Sequence, residues 1–496
     1  MFLKDIFVFN LELLAPEFFL SLIILLLLLF GTFYKKINNN QILIVKIMNK
    51  FIIYLLLIIL ILIFNTFNYS TPLMNGILYC DNLTQFVKSI LIICTIFCYI
   101  IQTDYIIHQK MFSFELNILI LISLLGLMLL VSSFNFITLY LSIELQSLSF
   151  YILTASKRKS ILSIEASLKY FILGSIASSF ILFGSSIIYG VFGTLSFGNI
   201  FLILSNIYYI ENINLIISMI NGFIFILVGL FFKIGIAPFH FWLPDVYEGS
   251  PNNITAFFAI VPKIAFFTIL IRFMFDILID ISCFFEIIFY ICSVLSMLIG
   301  SLSALQQRKI KRLLAYSSIS HVGFILLGFT SNLLENIPFI LLYIIIYIIM
   351  SINLWTLYLS LNINNKPIKY LTDLSNIFNF NKLLAFIIIL NIFSMAGIPP
   401  LAGFFSKLFL FISLIKAKYF GLVIFSILIS ILSSFYYLRI IKIIFFEKIE
   451  KKLFINQISK LNSIILIINT QFLIFFIFCP NFILINLNKL CLYLLI

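Results

Sequence analysis

Five ionisable side chains in this chain of 496 residues stand where their neighbours are apolar or small. They are Glu144 in SIELQS, Lys233 in FFKIGIAPFH, Lys263 in VPKIAFF, His321 in SSISHVGFILLGF and Lys407 in GFFSKLFLF. An ionisable group at the centre of a membrane costs about 2.5–3.5 kcal/mol on insertion scales. A passive scaffold has little reason to carry several. Together these residue types can hold and pass a proton. A nearby carboxylate decides how firmly a buried lysine keeps its proton, and histidine titrates near neutral pH.

Each residue also has a plainer reading, as half of a buried ion pair or as a charge that snorkels to the surface. Glu165 and Lys169, four apart in EASLKYF, suit a pair along one helix face. His240, beside Trp242, suits an interfacial cap. His321 lies in a stretch with Ser317, Ser318 and Ser320, which suits the lining of a proton relay or water wire.

Two interruptions flank the lysines. Pro238 follows Lys233, and SMAGIPPLAGFFSK places Gly397, Pro399, Pro400 and Gly403 before Lys407. Proline removes a backbone hydrogen bond and kinks or breaks a helix. Broken backbone at membrane depth is tolerated where it is buried in protein or lines a water-filled path. Pro238 and Pro400 are therefore expected to free carbonyls that hold water. Glu144 and Lys233 are 89 residues apart (144 to 233), and His321 and Lys407 are 86 apart (321 to 407). These spacings fit two repeats with corresponding broken helices.

The elements that must position these residues follow from composition. The chain is 63% hydrophobic and 10% charged, against about half and a quarter in soluble domains. Apolar runs long enough to span occur near 16–34, 47–68, 83–103, 113–131, 134–154, 162–190 and 214–237. Seven more lie near 254–275, 283–303, 312–330, 337–361, 382–411, 419–445 and 461–486. The expectation is an all-α polytopic membrane protein with about 14 transmembrane helices, broken in spans 7 and 12. The stretch 197–210 is too short to span and is predicted to be interfacial.

The net charge of +13 is carried in loops, which points to membrane topology and away from nucleic acid. Lys35 and Lys36 follow span 1, Lys157, Arg158 and Lys159 span 5, and Arg308, Lys309, Lys311 and Arg312 span 9. Lys366 and Lys369 follow span 11, and Lys448, Lys451 and Lys452 span 13, with Lys416 and Lys418 as exceptions. The positive-inside rule then sets both termini on the side opposite these loops. The basic segment 448–460 reads as a solvated loop. The seven cysteines form no CxxC and no zinc, haem or iron–sulfur spacing, so no metal or cofactor is expected in the chain itself. The N-terminal MFLKDIFVFNLELLAPEFFL carries Asp5, Glu12 and Glu17 and resembles neither a transit nor a secretory peptide. With sixty Phe and many Ile, Asn and Lys, which suggest an A+T-rich gene, this fits an organelle-encoded chain, a bacterial origin being the alternative.

The stretch FKIGIAPFHFWLPDVYEGSP resembles the signature of the antiporter-like subunits of respiratory complex I. LYLSIELQSLSFYIL, EASLKYFILGSIASS, GSLSALQQRKIKRLLAYSSISHVGF and AGIPPLAGFFSKLFLF are similar to the same family, and the resemblance covers about 113–445. It implies two inverted five-helix repeats, at 113–280 (spans 4–8) and 281–450 (spans 9–13). Spans 1–3 (1–112) and span 14 (451–496) would flank them. It implies proton translocation driven by NADH oxidation and quinone reduction in partner subunits that hold FMN and iron–sulfur clusters. Partners would be other membrane-arm subunits, including neighbouring antiporter-like ones, and lipid. The location would be the mitochondrial inner membrane. The family's functional residues fall on Glu144, Lys233, Lys263 and Lys407. A subunit of a related multi-subunit cation/proton antiporter is the alternative.

Overall fold

In the computed structural model, residues 12–492 are described apart from 38–40, 68, 110, 112, 206–212, 332, 364–365 and 448–457. The N-terminal residues 1–11 and most of the basic segment 448–460 therefore lie outside the described residues. The helices before the first break are α1 (Ala15–Ile37), α2 (Gln41–Asn65), α3 (Asn82–His108), α4 (Glu115–Ser132), α5 (Phe136–Thr154), α6 (Ile161–Phe192), α7 (Phe197–Leu204) and α8 (Ile213–Ile234). After it come α9 (Trp242–Gly249), α10 (Asn252–Arg272), α11 (Cys283–Gln306), α12 (Ile310–Leu326) and α13 (Asn336–Ser360). The chain closes with α14 (Ile377–Phe380), α15 (Lys382–Ala396), α16 (Ala402–Lys416), α17 (Phe420–Phe446), α18 (Lys460–Phe475) and α19 (Pro480–Leu492).

Among the described residues, thirteen helices are long and apolar enough to cross a membrane. The expected span 12 is divided into α15 and α16, which accounts for the fourteenth. The last span ends at Phe478, not near 486, because Pro480 begins a separate helix. Among the described residues, the strands form two short hairpins, Thr71–Leu73 with Leu78–Cys80 and Asn362–Ile363 with Lys366–Pro367.

Every residue of α10 is buried, which makes it the axis of the bundle. It packs against α3, α4, α8 and α13. Pro262 sits inside it without ending it. Outward faces of the peripheral helices carry exposed Leu, Ile and Phe, the composition that lipid tails require.

The two breaks share one geometry. Helix α8 ends where Gly235 takes φ +85°, and α15 ends where Gly397 takes the same value. The amides of Gly235 and Ile236 both donate to Phe231 O at 3.0 Å, and those of Gly397 and Ile398 to Phe393 O at 3.1 Å. These are left-handed glycine caps, cheap only without a Cβ. The helices thus stop three residues ahead of Pro238 and Pro400, so glycine, not proline, terminates them. Both prolines follow cis peptide bonds. The pattern Phe-x-x-x-Gly-Ile-x-Pro recurs 162 residues on (235 to 397, 238 to 400). This offset places Lys233 before its break and Lys407 after its own. The 89- and 86-residue spacings therefore do not mark equivalent positions.

Candidate functional site

The acidic stretch that begins at Trp242 folds as the helix α9. The Trp242 indole donates to Phe232 O at 2.7 Å, so α9 adds a second, shorter donor to a carbonyl in the last turn of α8 that also accepts from Gly235 N at 3.2 Å. Trp242 stacks on Tyr170 with centroids 4.8 Å apart. At the other break, Lys407 Nζ donates to Ala396 O at 2.9 Å and lies 3.5 Å from Met395 O. A cation at a helix C-terminus is favourable on both hydrogen-bonding and dipole grounds. Carbonyls expected to hold water are thus held by side chains: Trp242 at one break and Lys407 at the other. Gly403 makes the second arrangement possible, since a Cβ there would fall 1.8 Å from Ser394 O.

The four central groups are buried: Lys233 is 7% exposed, Lys263 5%, Lys407 5% and His321 2%. Lys233 and Lys263 line one cavity of about 20 Å³, together with Gln146, Trp242, Tyr247 and Pro262. That volume suits about one water molecule. Gln146 Oε1 is buried there without a hydrogen-bond partner.

Beyond the cavity the polar line continues through tyrosine. Lys263 Nζ donates to Tyr347 OH at 3.0 Å and lies 4.9 Å from the ring centroid. The Tyr347 ring is 5.4 Å from that of His321. His321 Nδ1 meets Tyr343 OH at 2.9 Å and Nε2 meets Tyr437 OH at 3.1 Å. Both ring nitrogens are therefore engaged by hydroxyls. Lys407 Nζ sits 4.8 Å over the ring of Phe324, three residues beyond His321 on α12.

Glu144 is half-buried and makes no ion pair with Lys233. Ser147 Oγ donates to Glu144 Oε2 at 3.2 Å, and Lys233 Nζ approaches Tyr151 OH at 3.5 Å. Glu144, Ser147 and Tyr151 share one face of α5, so a hydroxyl pair separates the carboxylate from the lysine. On the same side of α5, Leu141, Leu148 and Ile152 are exposed.

Glu165 and Lys169 pair as expected, at 2.8 Å, but well exposed. Lys169 also reaches Asp245 at 2.9 Å, and Arg312 joins Asp245 at 2.8 Å and Glu248 at 2.5 Å. Lys309 completes the network on Glu248. The network ties α6, α9 and the start of α12 together at the surface, away from the cavity. Asp245 lies outside the spans. Burial raises its carboxyl, but hydrogen bonds from Lys169 and Arg312 outweigh this and hold it below 3.8. His240 is also apart from the cavity. Burial lowers its imidazole, with a smaller opposing effect from a hydrogen bond to the Pro238 backbone. It stacks on Phe241, consistent with the cap reading.

Sequence reasoning missed Tyr151, Tyr343, Tyr347 and Tyr437. The signal was present in YIIIY, which sets two hydroxyls at i and i+4 of one span. Lys311, counted among loop charges, is buried with Nζ 2.6 Å from Ser250 O.

A family described as NADH:quinone oxidoreductase/Mrp antiporter, TM, matches residues 133–433. NADH-ubiquinone oxidoreductase chain 2 of Marchantia polymorpha is 40% identical over 405 residues, 81% of each chain. NADH-quinone oxidoreductase subunit N of Parvibaculum lavamentivorans is 35% identical over 81% of this chain and 82% of its own. Among solved structures, a chain of respiratory complex I from Thermus thermophilus aligns with TM-score 0.77 and 24% identity, over 95% of this chain and 99% of that one. A chain of the Mrp complex from Dietzia sp. aligns with TM-score 0.80 and 18% identity, over 98% and 97%.

Proposed function

We infer, from the premise that this chain belongs to the NADH:quinone oxidoreductase/Mrp antiporter transmembrane family, that it is an antiporter-like membrane-arm subunit of a proton-translocating NADH:quinone oxidoreductase. The observation that carries the reading is the cavity shared by Lys233 and Lys263, continued through Tyr347 and His321 toward Lys407. The Mrp neighbour shares the fold alone. The NADH-oxidoreductase relatives favour the complex I reading over the cation/proton antiporter alternative.

In this reading Lys233 holds a proton beside the α8 break. The single water that fits the cavity passes it to Lys263. Tyr347 connects Lys263 to the His321 cluster, where one ring nitrogen accepts a proton and the other releases it. Lys407, held on the α15 carbonyls, takes it toward the opposite face. Glu144 sets how firmly Lys233 holds its proton through Ser147 and Tyr151. Its exposed flank on α5 is where a neighbouring subunit would cover a half-buried carboxylate, which has no place against lipid. NADH, FMN, iron–sulfur clusters and quinone belong to partner subunits. The recurring glycine break supports dividing the chain into 1–112, 113–280, 281–450 and 451–496. The NADH-ubiquinone oxidoreductase chain 2 relative of Marchantia polymorpha supports a mitochondrial inner-membrane placement, and the charge pattern of the loops supports an orientation with both termini opposite the matrix.

The test is Lys263→Met in the assembled complex. Loss of proton transfer with intact assembly supports the reading. Wild-type pumping would contradict it. Co-purification with flavin and iron–sulfur subunits separates the complex from a free-standing antiporter.

A further inference from the structure

At the end of α10 remote from the basic loops lies a second buried charge cluster. Arg272, 2% exposed, donates from Nη2 to Asp81 Oδ2 at 2.7 Å. Asp81 is already committed as the N-cap of α3. Its Oδ1 accepts from Thr84 N at 2.8 Å, and Thr84 Oγ1 accepts from Asp81 N at 2.9 Å. The guanidinium also lies 5.8 Å from the Tyr79 ring. Asp276 follows one turn beyond Arg272, inside a π-turn over Phe273–Ile277. It sits within Coulombic reach of both Arg272 and Asp81. Asp276 as a whole is partly exposed, but its Oδ1 is buried without a hydrogen-bond partner, as are Nε and Nη1 of Arg272.

Charge counting makes this unusual. The neighbouring Lys88–Glu17 pair, at 2.5 Å and nearly fully buried, balances itself. Tyr79 and Cys80 are neutral, and Asp280 is exposed. Among the described residues, the site is left with one cation, Arg272, and two carboxylates. An uncompensated buried charge is costly, and two carboxylates sharing a site do not both ionise readily. One further positive charge is required, and the unpartnered oxygen is where it belongs. Asp81 cannot take it without giving up its cap or its bond to Arg272.

We propose that Asp81, Arg272 and Asp276 form a proton-binding site in which Asp276 carries the proton. The site lies about 20 Å along the helix from Lys263, thirteen residues on. It is the proton-holding group nearest that end of α10. Its occupancy stands apart from the path proposed above, because it follows from local charge alone.

Infrared difference spectroscopy on the assembled complex tests this. Wild type minus Asp276→Asn at neutral pH is expected to show one buried carboxylic-acid band that shifts on deuteration. Asp81→Asn gives an independent arm. Asparagine is as good an N-cap as aspartate, so the helix start is kept while one negative charge is removed. Asp276 should then ionise against Arg272, and the acid band should vanish although Asp276 is present. An acid region unchanged by Asp276→Asn would overturn the proposal. So would an acid band that survives Asp81→Asn, which also decides the matter if Asp276→Asn fails to assemble. A carboxylate band that moves with sodium concentration would overturn it too, since a metal cation would then balance the charge.

Discussion

Lys263 and Tyr347 are joined by a hydrogen bond of 3.0 Å between the central helix α10 and α13. The bond joins the eighth span to the eleventh, and it brings the amine to the edge of the His321 cluster. Tyr347→Phe keeps the ring that lies beside Lys263 and His321 but deletes the hydroxyl. Assembly should be unchanged, and coupled proton transfer should fall by roughly 10- to 100-fold, the scale of one positioned proton-transfer group. Proton uptake and quinone reduction measured on the same membranes check this.

The two glycine caps differ in what lies beside them. A Cβ on Gly397 would stand 3.0 Å from Lys407 Cδ and Nζ, whereas one on Gly235 would meet Leu243 Cδ1 at 2.5 Å. Both substitutions to alanine force a left-handed residue, at about 1–2 kcal/mol. Gly397→Ala should in addition displace the Lys407 amine from Ala396 O. The measurement is the ratio of pumping to thermal stability. It should drop for Gly397→Ala and stay near wild type for Gly235→Ala at equal loss of stability.

Trp242→Phe preserves the stacking on Tyr170 but leaves Phe232 O with only the Gly235 amide, at 3.2 Å, as donor. Losing one buried hydrogen bond of this kind costs about 0.5–1.5 kcal/mol. The expected outcome is a lower melting temperature of the assembled membrane arm, read by release of this chain on native gels during heating.

How much of this was legible in the sequence depended on chemistry. Glu144, Lys233, Lys263 and Lys407 stood out because a charge inside an apolar run costs too much to be incidental. The burial of the three lysines follows the same logic. The tyrosines did not stand out, because their rings suit a membrane and only spatial neighbours show where a hydroxyl points. Gly235 and Gly397 were overshadowed by the prolines after them, although the Phe-x-x-x-Gly-Ile-x-Pro repeat was readable. The buried pairs Glu17–Lys88 and Asp81–Arg272 join residues far apart in the chain, so no local pattern announced them. Asp245 and Glu248 sit in an acidic stretch whose own neighbours name no partner. Their partners Lys169, Lys309 and Arg312 come from other parts of the chain, α6 and the start of α12.

The surface network makes one pH prediction. The Asp245 carboxyl titrates lower in the folded chain than its ordinary 3.8. Its contribution is complete above that value and is lost as pH falls through the depressed one. Acidification below about pH 4 should therefore loosen α9 from α6 and α12, and neutral to alkaline pH should leave it intact. Protease cutting within 242–250 as a function of pH checks this. Asp245→Asn should show the loosened pattern already at neutral pH.

The central claim is that Lys233 holds a proton that is obligatory for turnover. Proton pumping and NADH:quinone turnover should be measured together in membranes carrying Lys233→Ala, with assembly verified on a native gel. The expected result is an assembled complex in which pumping and turnover fall together. An assembled complex with both at wild-type levels would contradict the claim and leave the buried lysine as a packing element.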